Sequence, residues 1–274
     1  MNEQVIAFIG CGNMGRCLIG GLIADGYPRE RIRAADPDPQ QLVKLKERTG
    51  VAGSTDNAAT VRDADIVVLA VKPQHMQAVA NTLAMHIRVR RPLVLSIAAG
   101  IRTADLGRWL GSVPIVRAMP NTPALLGCGA AGLYARADVS TAQREHAESI
   151  LRAAGLTVWV EHEDLIDVVT AVSGSGPAYF FLLMELIENA GAKLGLSREH
   201  ARLLTLQTAL GAARMAMESG VEPATLRAQV TSPGGTTERA LRVMQERGLS
   251  EIVEAALTAA QRRAAEMAAQ FGES

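Results

Sequence analysis

Short apolar runs and segments of helical periodicity alternate over about the first 160 residues of the chain. The runs are rich in valine, isoleucine and leucine and are apolar on both faces, which is typical of strands that helices cover above and below. These predicted strands are residues 5–9, 32–35, 66–71, 93–97 and 115–118. The segments between them have the spacing of amphipathic helices, for example over residues 18–24 and 40–47. The pattern predicts an α/β domain, doubly wound around a parallel sheet.

The rhythm changes after Glu161, and we expect no strand beyond that point. The predicted helices of this second half are residues 164–172, 178–194, 197–218, 237–247 and 250–271. The polar segment EHED at 161–164 is the candidate boundary between the two parts. We therefore predict a dinucleotide-binding domain over residues 1–161, for reasons given below, and an all-helical domain over residues 162–274.

Helix ends are marked by residues suited to capping. Ser140 followed by Gln143 forms a capping-box pattern at the start of a predicted helix over residues 140–153. Ser197 and Ser250 stand where N-caps are expected. The residues placed to end helices are Gly195, Gly220 and Gly248.

The predicted helix over residues 178–194 is apolar nearly all the way round its first half, YFFLLMELI. A helix of this kind needs apolar partners on several sides, and a small helical domain offers few of them. We therefore expect a second copy of the chain to cover part of it. The apolar stretch at 178–187 contains Glu185 and is too short to span a bilayer, so we expect a soluble protein.

Composition narrows the class of protein further. Hydrophobic residues make up 48% and aromatic residues only 3%, so the core must consist mainly of aliphatic side chains. The 28 basic and 28 acidic residues balance and form no block of one sign, which argues against a nucleic-acid partner. The three cysteines, an odd number without metal-ligand spacing, and the lack of a signal peptide at the N-terminus favour a reducing, cytoplasmic compartment and no metal site.

The clearest motif is GxGxxG at Gly10, Gly12 and Gly15, directly after the first predicted strand and before a helical segment. The first glycine permits a tight turn, the second lets the backbone approach a pyrophosphate, and the third lets helix and strand pack closely. The helix that follows would present its free N–H groups to the phosphates. The motif alone is weak, but its position in a βαβ unit predicts a Rossmann-type dinucleotide site.

Asp36 follows the second predicted strand and lies 21 residues after Gly15, the distance expected for the carboxylate that binds the cofactor's ribose. A carboxylate there accepts hydrogen bonds from both ribose hydroxyls of NAD and repels a 2′-phosphate, which favours NADH. Two alternatives stay open: Asp36 could only open a turn before a helix, and Arg33 or another arginine could still reach a phosphate.

Other candidate contacts lie where predicted strands end. Lys72, in the segment AVKP, is either a ribose contact or a solvated lysine at a strand end. Asn121, in the segment MPNTP, could contact the nicotinamide carboxamide or the substrate. The segment SGSGP at 173–177 is either a structural elbow or a ligand contact. Lys72 and Asn121 follow the rule that open α/β sheets bind ligands at the carboxyl edge of their strands. The small residues of 173–177 instead allow close approach by backbone or ligand.

Three longer runs, TAVSGSGPAYFF at 170–181, MPNTPALLG at 119–127 and TSPGGTTERAL at 231–241, resemble the pyrroline-5-carboxylate reductase family. The resemblance extends over the whole chain, from the glycine loop to the C-terminal helices. It implies a dinucleotide-binding domain followed by an all-α dimerisation domain, with reduction of the C=N bond of 1-pyrroline-5-carboxylate to proline by NAD(P)H. Dimers of this family often associate further, into decamers.

The same resemblance implies roles for individual residues. Thr237 would hydrogen-bond the ring nitrogen of the substrate and help transfer its proton. The other predicted substrate-binding residues are Ser232, Gly234, Gly235, Thr236 and Ser175. The predicted cofactor-binding residues are Gly10, Gly12, Asn13, Met14, Gly15, Asp36, Asn57, Ala70, Val71, Lys72, Pro73, Ala98 and Asn121. Many members have Ala where this chain has Gly15, and many have Ser, Asn or Arg where it has Asp36, a pattern that favours NADPH in those members.

Two other functions compete. A hydroxyacid dehydrogenase of similar architecture would use a helical lysine base close to an asparagine, but Lys193 lies four residues after Asn189 and beside a helix-ending glycine. A non-catalytic dinucleotide sensor would bind the cofactor without turnover. No carboxylate pair or Ser-His-Asp set is placed for acid–base or covalent chemistry, which agrees with reduction of an imine that arrives protonated.

Overall fold

The computed structural model describes residues 3–272, and its first part is built on one eight-stranded sheet. The strands are β1 (Ile6–Ile9), β2 (Ile32–Ala35), β3 (Gly53–Ser54), β4 (Ile66–Leu69), β5 (Leu93–Ser96), β6 (Ile115–Met119), β7 (Gly129–Ala135) and β8 (Gly155–Trp159). Their order across the sheet is β3-β2-β1-β4-β5-β6-β7-β8, and β1 to β6 run parallel. The doubly wound arrangement predicted from the apolar runs is confirmed.

The central strands are buried on both faces. Every residue of β1, β4 and β5 is buried, and two separate hydrophobic clusters lie on the two sides of the sheet. Phe8 belongs to one cluster and its neighbour Ile9 to the other, as the alternation of side chains along a strand requires. Both faces are thus covered, as the continuous apolar runs predicted.

The last two strands reverse the direction of the sheet. β7 pairs antiparallel with β6, and β8 pairs parallel with β7. Only residues 120–128 join β6 to β7, which is too short for a parallel crossover, so the chain must return in the opposite direction. These two strands and the two-residue β3 were not predicted. β7 begins with the four small residues Gly-Ala-Ala-Gly, and the residues of β8 are exposed or half-buried.

The helices are α1 (Asn13–Ala24), α2 (Pro39–Thr49), α3 (Asn57–Val61), α4 (Pro73–Arg90), α5 (Thr103–Leu110), α6 (Thr141–Arg152), α7 (Leu165–Val169), α8 (Gly176–Lys193), α9 (Arg198–Glu218), α10 (Pro223–Gln229), α11 (Thr236–Glu246) and α12 (Leu249–Gly272). Within the described residues no strand follows Glu161, as predicted. A π-helical turn, Thr170–Gly174, lies between α7 and α8.

Most of the predicted helix ends are confirmed. Ser140 and Gln143 form the reciprocal capping box of α6, and the Ser197 side chain accepts the N–H of His200 at the start of α9. Ser250 was predicted wrongly as an N-cap: α12 begins one residue earlier, directly after the left-handed Gly248. The short helix α10, which begins at Pro223, was not predicted.

By its contacts the chain divides into two compact units, residues 3–175 with 259–272, and residues 176–258. The first unit therefore includes α7 and the π-helical turn, which lie beyond the boundary predicted after Glu161. Both segments pack on the strands of the sheet, α7 against β7 among them. The last turns of α12 also belong to the first unit, where Phe271 packs against a core cluster.

The second unit consists of helices only, within residues 176–258. Helices α8 and α9 pack on each other, yet many of their large apolar side chains stay exposed in a single chain. The apolar residues of α8 with about half or more of their surface exposed are Phe180, Phe181, Leu182, Leu183, Leu186 and Ile187. The expectation that this helix exposes apolar surface is confirmed.

The helical stretch from Leu165 to Lys193 is 29 residues long and has a mean hydropathy of 1.4 in its most apolar window. By length and composition it could cross a membrane, although the core helix of a soluble protein passes the same test. The expectation that the apolar segment is too short therefore holds for residues 178–187 but not for the longer stretch of α7, the π-helical turn and α8, in which only Ser175 is not helical.

Candidate active site

The glycine loop lies at the carboxyl edge of β1, and its first and third glycines are forced by close contacts. Gly10 has φ of +99°, and a Cβ on it would lie 2.5 Å from the carbonyl oxygen of Ala70. A Cβ on Gly15 would lie 2.3 Å from the carbonyl oxygen of Gly10, so α1 packs directly on the loop. Gly12, by contrast, has nothing within 4 Å of the position of a Cβ. The open space is where the motif predicts that a pyrophosphate approaches the backbone.

A cavity of about 700 Å³ opens at this edge of the sheet. The predicted cofactor residues that line it are Gly10, Gly12, Asn13, Asp36, Asn57, Ala70, Val71 and Lys72. Other lining residues, which the sequence did not single out, include Asp38, Gln41, His75 and Val79. The cavity is in the size range of cofactor sites, and it begins at the N-terminus of α1, whose free N–H groups favour phosphate.

Asp36 is buried at the rim of this cavity, with 8% of its surface exposed. Its Oδ2 accepts the N–H of Cys11 at 2.7 Å, and its Oδ1 accepts the N–H of Asp38 at 2.9 Å. The carboxylate therefore fixes the glycine loop and also opens the turn before α2. Asp38, not Asp36, caps α2. Each carboxylate oxygen has a second lone pair, so the residue can still accept ribose hydroxyls.

Arg16 lies beneath the loop and was missed from the sequence. It is 8% exposed, and its Nη1 donates to the carbonyl of Cys11 at 2.6 Å and also to the side chain of Gln41. Its Nη2 donates to Oδ1 of Asn13 at 2.8 Å. Arg16 thus holds two side chains that line the cofactor cavity. Arg33, the arginine singled out from the sequence, pairs with Asp63 and lies outside the residues that line this cavity.

The thiol of Cys11 is fully buried behind the glycine loop. Burial raises the pKa of Cys11 to about 12; the neighbouring Asp36 carboxylate adds to the rise, and Arg16 opposes it. Burial also raises the pKa of Cys17. A thiol with so high a pKa stays protonated near neutral pH and is a poor nucleophile.

The remaining predicted cofactor residues do not line the cavity. They are Met14, Gly15, Pro73, Ala98 and Asn121. Met14 and Gly15 lie in the first turn of α1, and Pro73 is the first residue of α4. Ala98 is buried after β5, in the core. Asn121 is buried after β6 and hydrogen-bonded to backbone atoms of two other segments. Their assignment as cofactor contacts stays a prediction.

The predicted substrate loop lies in the second unit, at the start of α11. Gly234 has φ of +73°, and the N-cap of α11 is Gly235. Thr236 and Thr237 are therefore the first two helical residues, and neither side chain caps the helix, contrary to the purely structural interpretation of these threonines. The first-turn N–H groups are available to an anion, whereas that of Gly234 is already bound to the carboxylate of Glu238 at 2.7 Å.

Ser175 directly follows the π-helical turn. The hydroxyls of Thr170 and Ser173 donate back to carbonyls of the preceding helical turn, at 2.7 and 3.0 Å. Ser175 is half-buried, and its hydroxyl makes no hydrogen bond within residues 3–272. It is available to a ligand.

Comparison with known proteins gives two family matches in this chain. Residues 163–267 match the family described as pyrroline-5-carboxylate reductase dimerisation. Residues 5–100 match the family described as NADP oxidoreductase, coenzyme F420-dependent. The first match begins close to the boundary predicted after Glu161, and the second covers the glycine loop and most of the parallel sheet.

Individual relatives match over nearly the whole length. The chain is 56% identical to a pyrroline-5-carboxylate reductase of Pseudomonas aeruginosa over 274 residues, covering 100% of both chains. A solved structure of such a reductase from Coxiella burnetii is 48% identical, with a TM-score of 0.93 over 97% of this chain and 99% of that chain. The reductase of Plasmodium falciparum, solved with NADP bound, is 30% identical, with a TM-score of 0.85 over 98% of this chain and 99% of that one.

Proposed function

We propose a function for this chain from the family to which it belongs, the pyrroline-5-carboxylate reductases, which are NAD(P)H-dependent oxidoreductases of the last step of proline biosynthesis. On this basis we propose that the chain reduces the C=N bond of 1-pyrroline-5-carboxylate, with the glycine loop binding the cofactor and residues 232–237 binding the substrate. The observation on which the proposal rests is the cavity at the glycine loop, in a chain that matches such a reductase over its full length. We also propose that the boundary between the dinucleotide-binding domain and the all-helical domain lies after Glu161.

NAD(P)H, when bound, supplies the hydride. The residues of the chain bind and orient the two reactants, and orientation alone can contribute about 7–11 kcal/mol in favourable cases. The first-turn N–H groups of α11 and the positive end of its dipole bind the substrate carboxylate, with Ser232 and Thr236 beside them. The hydroxyl of Thr237 hydrogen-bonds the ring nitrogen and helps transfer its proton. Ser175 provides a further hydroxyl for the substrate.

For the cofactor we propose that NADH is preferred to NADPH. The support is the buried carboxylate of Asp36, which would lie close to a 2′-phosphate and repel it. Arg16, which bonds the carbonyl of Cys11, would place a positive charge near the loop and partly offset this repulsion, so that we expect NADPH to remain usable. The Plasmodium falciparum relative binds NADP, so use of the phosphorylated cofactor occurs in this family.

We propose that the chain forms a homodimer through the exposed apolar faces of α8 and α9, and that dimers associate further, as far as a decamer, as the family resemblance implies. The match to a dimerisation family over residues 163–267 supports the dimer. The three cysteines are all free, which is typical of a cytoplasmic protein, and we propose that location. We expect a small-molecule substrate, and we expect neither a nucleic acid nor a membrane as a partner.

The first test is the loss of absorbance at 340 nm with 1-pyrroline-5-carboxylate, measured with NADH and with NADPH, on the wild type and on Thr237→Ala. We expect turnover by the wild type and a fall in kcat of about a hundredfold in the variant, the typical contribution of a side chain positioned for proton transfer. Cofactor affinity, measured by the fluorescence of bound NADH, should not change.

The matched control is Thr258→Ala, which removes a threonine hydroxyl that only bonds back to a carbonyl within α12. Its turnover should equal that of the wild type. A wild-type chain that binds NADH tightly but reduces no 1-pyrroline-5-carboxylate would refute the proposed substrate and favour a dinucleotide sensor instead.

A further inference from the structure

The π-helical turn, Thr170–Gly174, leaves one backbone carbonyl without its usual helical partner. The turn is closed by the N–H of Ser175, which donates to the carbonyl of Thr170 at 2.8 Å, five residues back. The carbonyl of Ser173 would normally accept the N–H of the residue four positions on, but that residue is Pro177, which has none. A carbonyl left unpaired in this way needs a donor from elsewhere in the protein.

Asn121 supplies that donor. It follows β6 directly, is 9% exposed, and its Nδ2 donates to the carbonyl of Ser173 at 2.9 Å. Its Oδ1 accepts the N–H of Ala130 at 2.9 Å, at the start of β7. A backbone N–H can only donate and a carbonyl can only accept, so these two partners fix which way the amide points. One buried side chain therefore joins the ends of two neighbouring strands to the π-helical turn.

A buried ion network holds the helix that leads into the turn. Arg117 of β6 is 1% exposed. Its Nη2 lies 3.4 Å from Oδ1 of Asp167 in α7, and its Nη1 lies 3.3 Å from Oε1 of Glu163. Arg102 contacts the other carboxylate oxygen of Asp167 at 2.6 Å. Because α7 continues into the turn, the ion network fixes the start of the turn to β6. Asn121 fixes its other end, at the carbonyl of Ser173.

The position of the turn gives it a functional meaning. It is tied to the segment after β6, at the carboxyl edge where α/β sheets bind their ligands, and it ends at the free hydroxyl of Ser175. π-Helical turns are found frequently at functional sites. Gly174 also lets the turn pack on Met119, the last residue of β6: a Cβ there would lie 2.8 Å from its Cε.

We propose that Asn121 is a positioning residue: it holds the π-helical turn in the geometry that places Ser175 for the substrate, and it does not itself bind the nicotinamide. The inference rests on the proposed function, because the substrate is the one assigned there. It changes the role predicted for Asn121 from cofactor contact to support of the substrate site. Loss of Asn121 should therefore weaken substrate binding and leave dinucleotide binding intact.

The test is a double-mutant cycle between Asn121→Ala and Pro177→Ala. Alanine at 177 restores the missing N–H, so the Ser173 carbonyl then has a helical donor of its own. We expect Asn121→Ala alone to raise KM for 1-pyrroline-5-carboxylate about tenfold, the usual effect of leaving a buried carbonyl unpaired. The same change in the Pro177→Ala background should raise KM by a clearly smaller factor, and the Kd for NADH should stay within about twofold throughout.

Thr258→Ala is again the matched control, because it removes only a hydroxyl that bonds back to a carbonyl within α12 and leaves the π-helical turn unchanged. Its KM should be that of the wild type. The inference is overturned if Asn121→Ala raises KM equally in both backgrounds, or if it raises the Kd for NADH as much as KM. If Asn121→Ala does not fold, its recovery of folding in the Pro177→Ala background supports the inference, and failure in both backgrounds overturns it.

Urea unfolding of the four proteins of the cycle, namely the wild type, the two single variants and the double variant, separates this inference from the proposed function. Coupling between the two positions in the free energy of unfolding is expected whatever the enzyme's substrate. A wild type without turnover would refute the proposed function, and the substrate role of the turn with it, while the coupling would still be seen. A turnover-competent wild type without coupling would refute the inference alone.

Discussion

At the scale of single residues, Asp36 is the side chain that we expect to decide between NADH and NADPH. Asp36→Asn keeps the shape of the side chain and one acceptor for the loop but removes the negative charge. We expect the ratio of kcat/KM for NADPH to that for NADH to rise about tenfold, since a buried charge close to a 2′-phosphate is weakly screened. Steady-state kinetics with both cofactors measure the ratio.

A matched loss of charge is provided by Asp63→Asn, because Asp63 is an exposed carboxylate paired with Arg33 outside the residues that line the cavity. That variant should keep the wild-type ratio. An unchanged ratio in Asp36→Asn would mean that the carboxylate only fixes Cys11 and the turn before α2, and that cofactor choice lies elsewhere.

Asp36, Arg16 and Asn121 show which features of the site can be predicted from the sequence and which cannot. Asp36 was found because its distance from Gly15 along the chain is set by one βαβ unit, and spacing is visible in a sequence. Arg16 was not found, because its contacts with Gln41 and with the carbonyl of Cys11 depend on how α1 and α2 meet. Asn121 was found for its place at the sheet edge, but its partner, the carbonyl of Ser173, is 52 residues away.

At the scale of elements, two adjacent glycines of α1 look alike in the sequence and differ in the structure. A Cβ on Gly21 would lie 2.3 Å from the backbone carbonyl of Ala153, at the end of α6, whereas a Cβ on Gly20 would meet nothing within 4 Å. Gly21→Ala must push α1 away from α6, and overpacking of this kind costs about 1–3 kcal/mol. Gly20→Ala should instead stabilise the protein by roughly 0.5–1 kcal/mol, through a better helix former.

Thermal and urea unfolding of the two variants check this prediction, and each serves as the control for the other. Equal effects of the same sign would show that helix propensity alone governs α1 and that its contact with the end of α6 is loose.

The same limit explains which elements were predicted. The strands β1, β4 and β5 are buried on both faces, so their composition alone identifies them. β7 and β8 lie at one end of the sheet, and the exposed residues of β8 alternate with half-buried ones, which gives a weak pattern over five residues. Ser250 has the chemistry of an N-cap, but the left-handed Gly248 already sets the start of α12.

At the scale of the whole molecule, the division by contacts and the division by family do not coincide. The compact first unit extends to Ser175, whereas the dimerisation family begins at residue 163. The segment between them contains α7 and the π-helical turn, which are held to β6 by Asn121 and by the buried ion network. This segment is thus covalently part of the helical half and packed as part of the first unit, an arrangement that no pattern of hydrophobic positions could have indicated.

The apolar face of α8 leads to the last prediction, which concerns assembly. Leu186 is 54% exposed and lies among phenylalanine and leucine side chains that are exposed to a similar extent. Obligate dimers bury about 2,000 Å² or more, mostly apolar, and each buried Å² contributes roughly 25 cal/mol. A glutamate at position 186 would place an unpaired charge in such an interface. We expect Leu186→Glu to be monomeric by multi-angle light scattering at micromolar concentration, or to lose cooperative folding.

Val89→Glu is the matched control, because Val89 is 83% exposed on α4 in the first unit, where Met85 is the only other large apolar side chain of that helix that is exposed. That variant should keep the oligomeric state of the wild type. If the substrate site also needs the second copy, Leu186→Glu will lose turnover while its first unit still binds NADH. A Leu186→Glu variant with wild-type mass in solution would show that α8 is covered in another way, and a wild-type monomer would refute the dimer altogether.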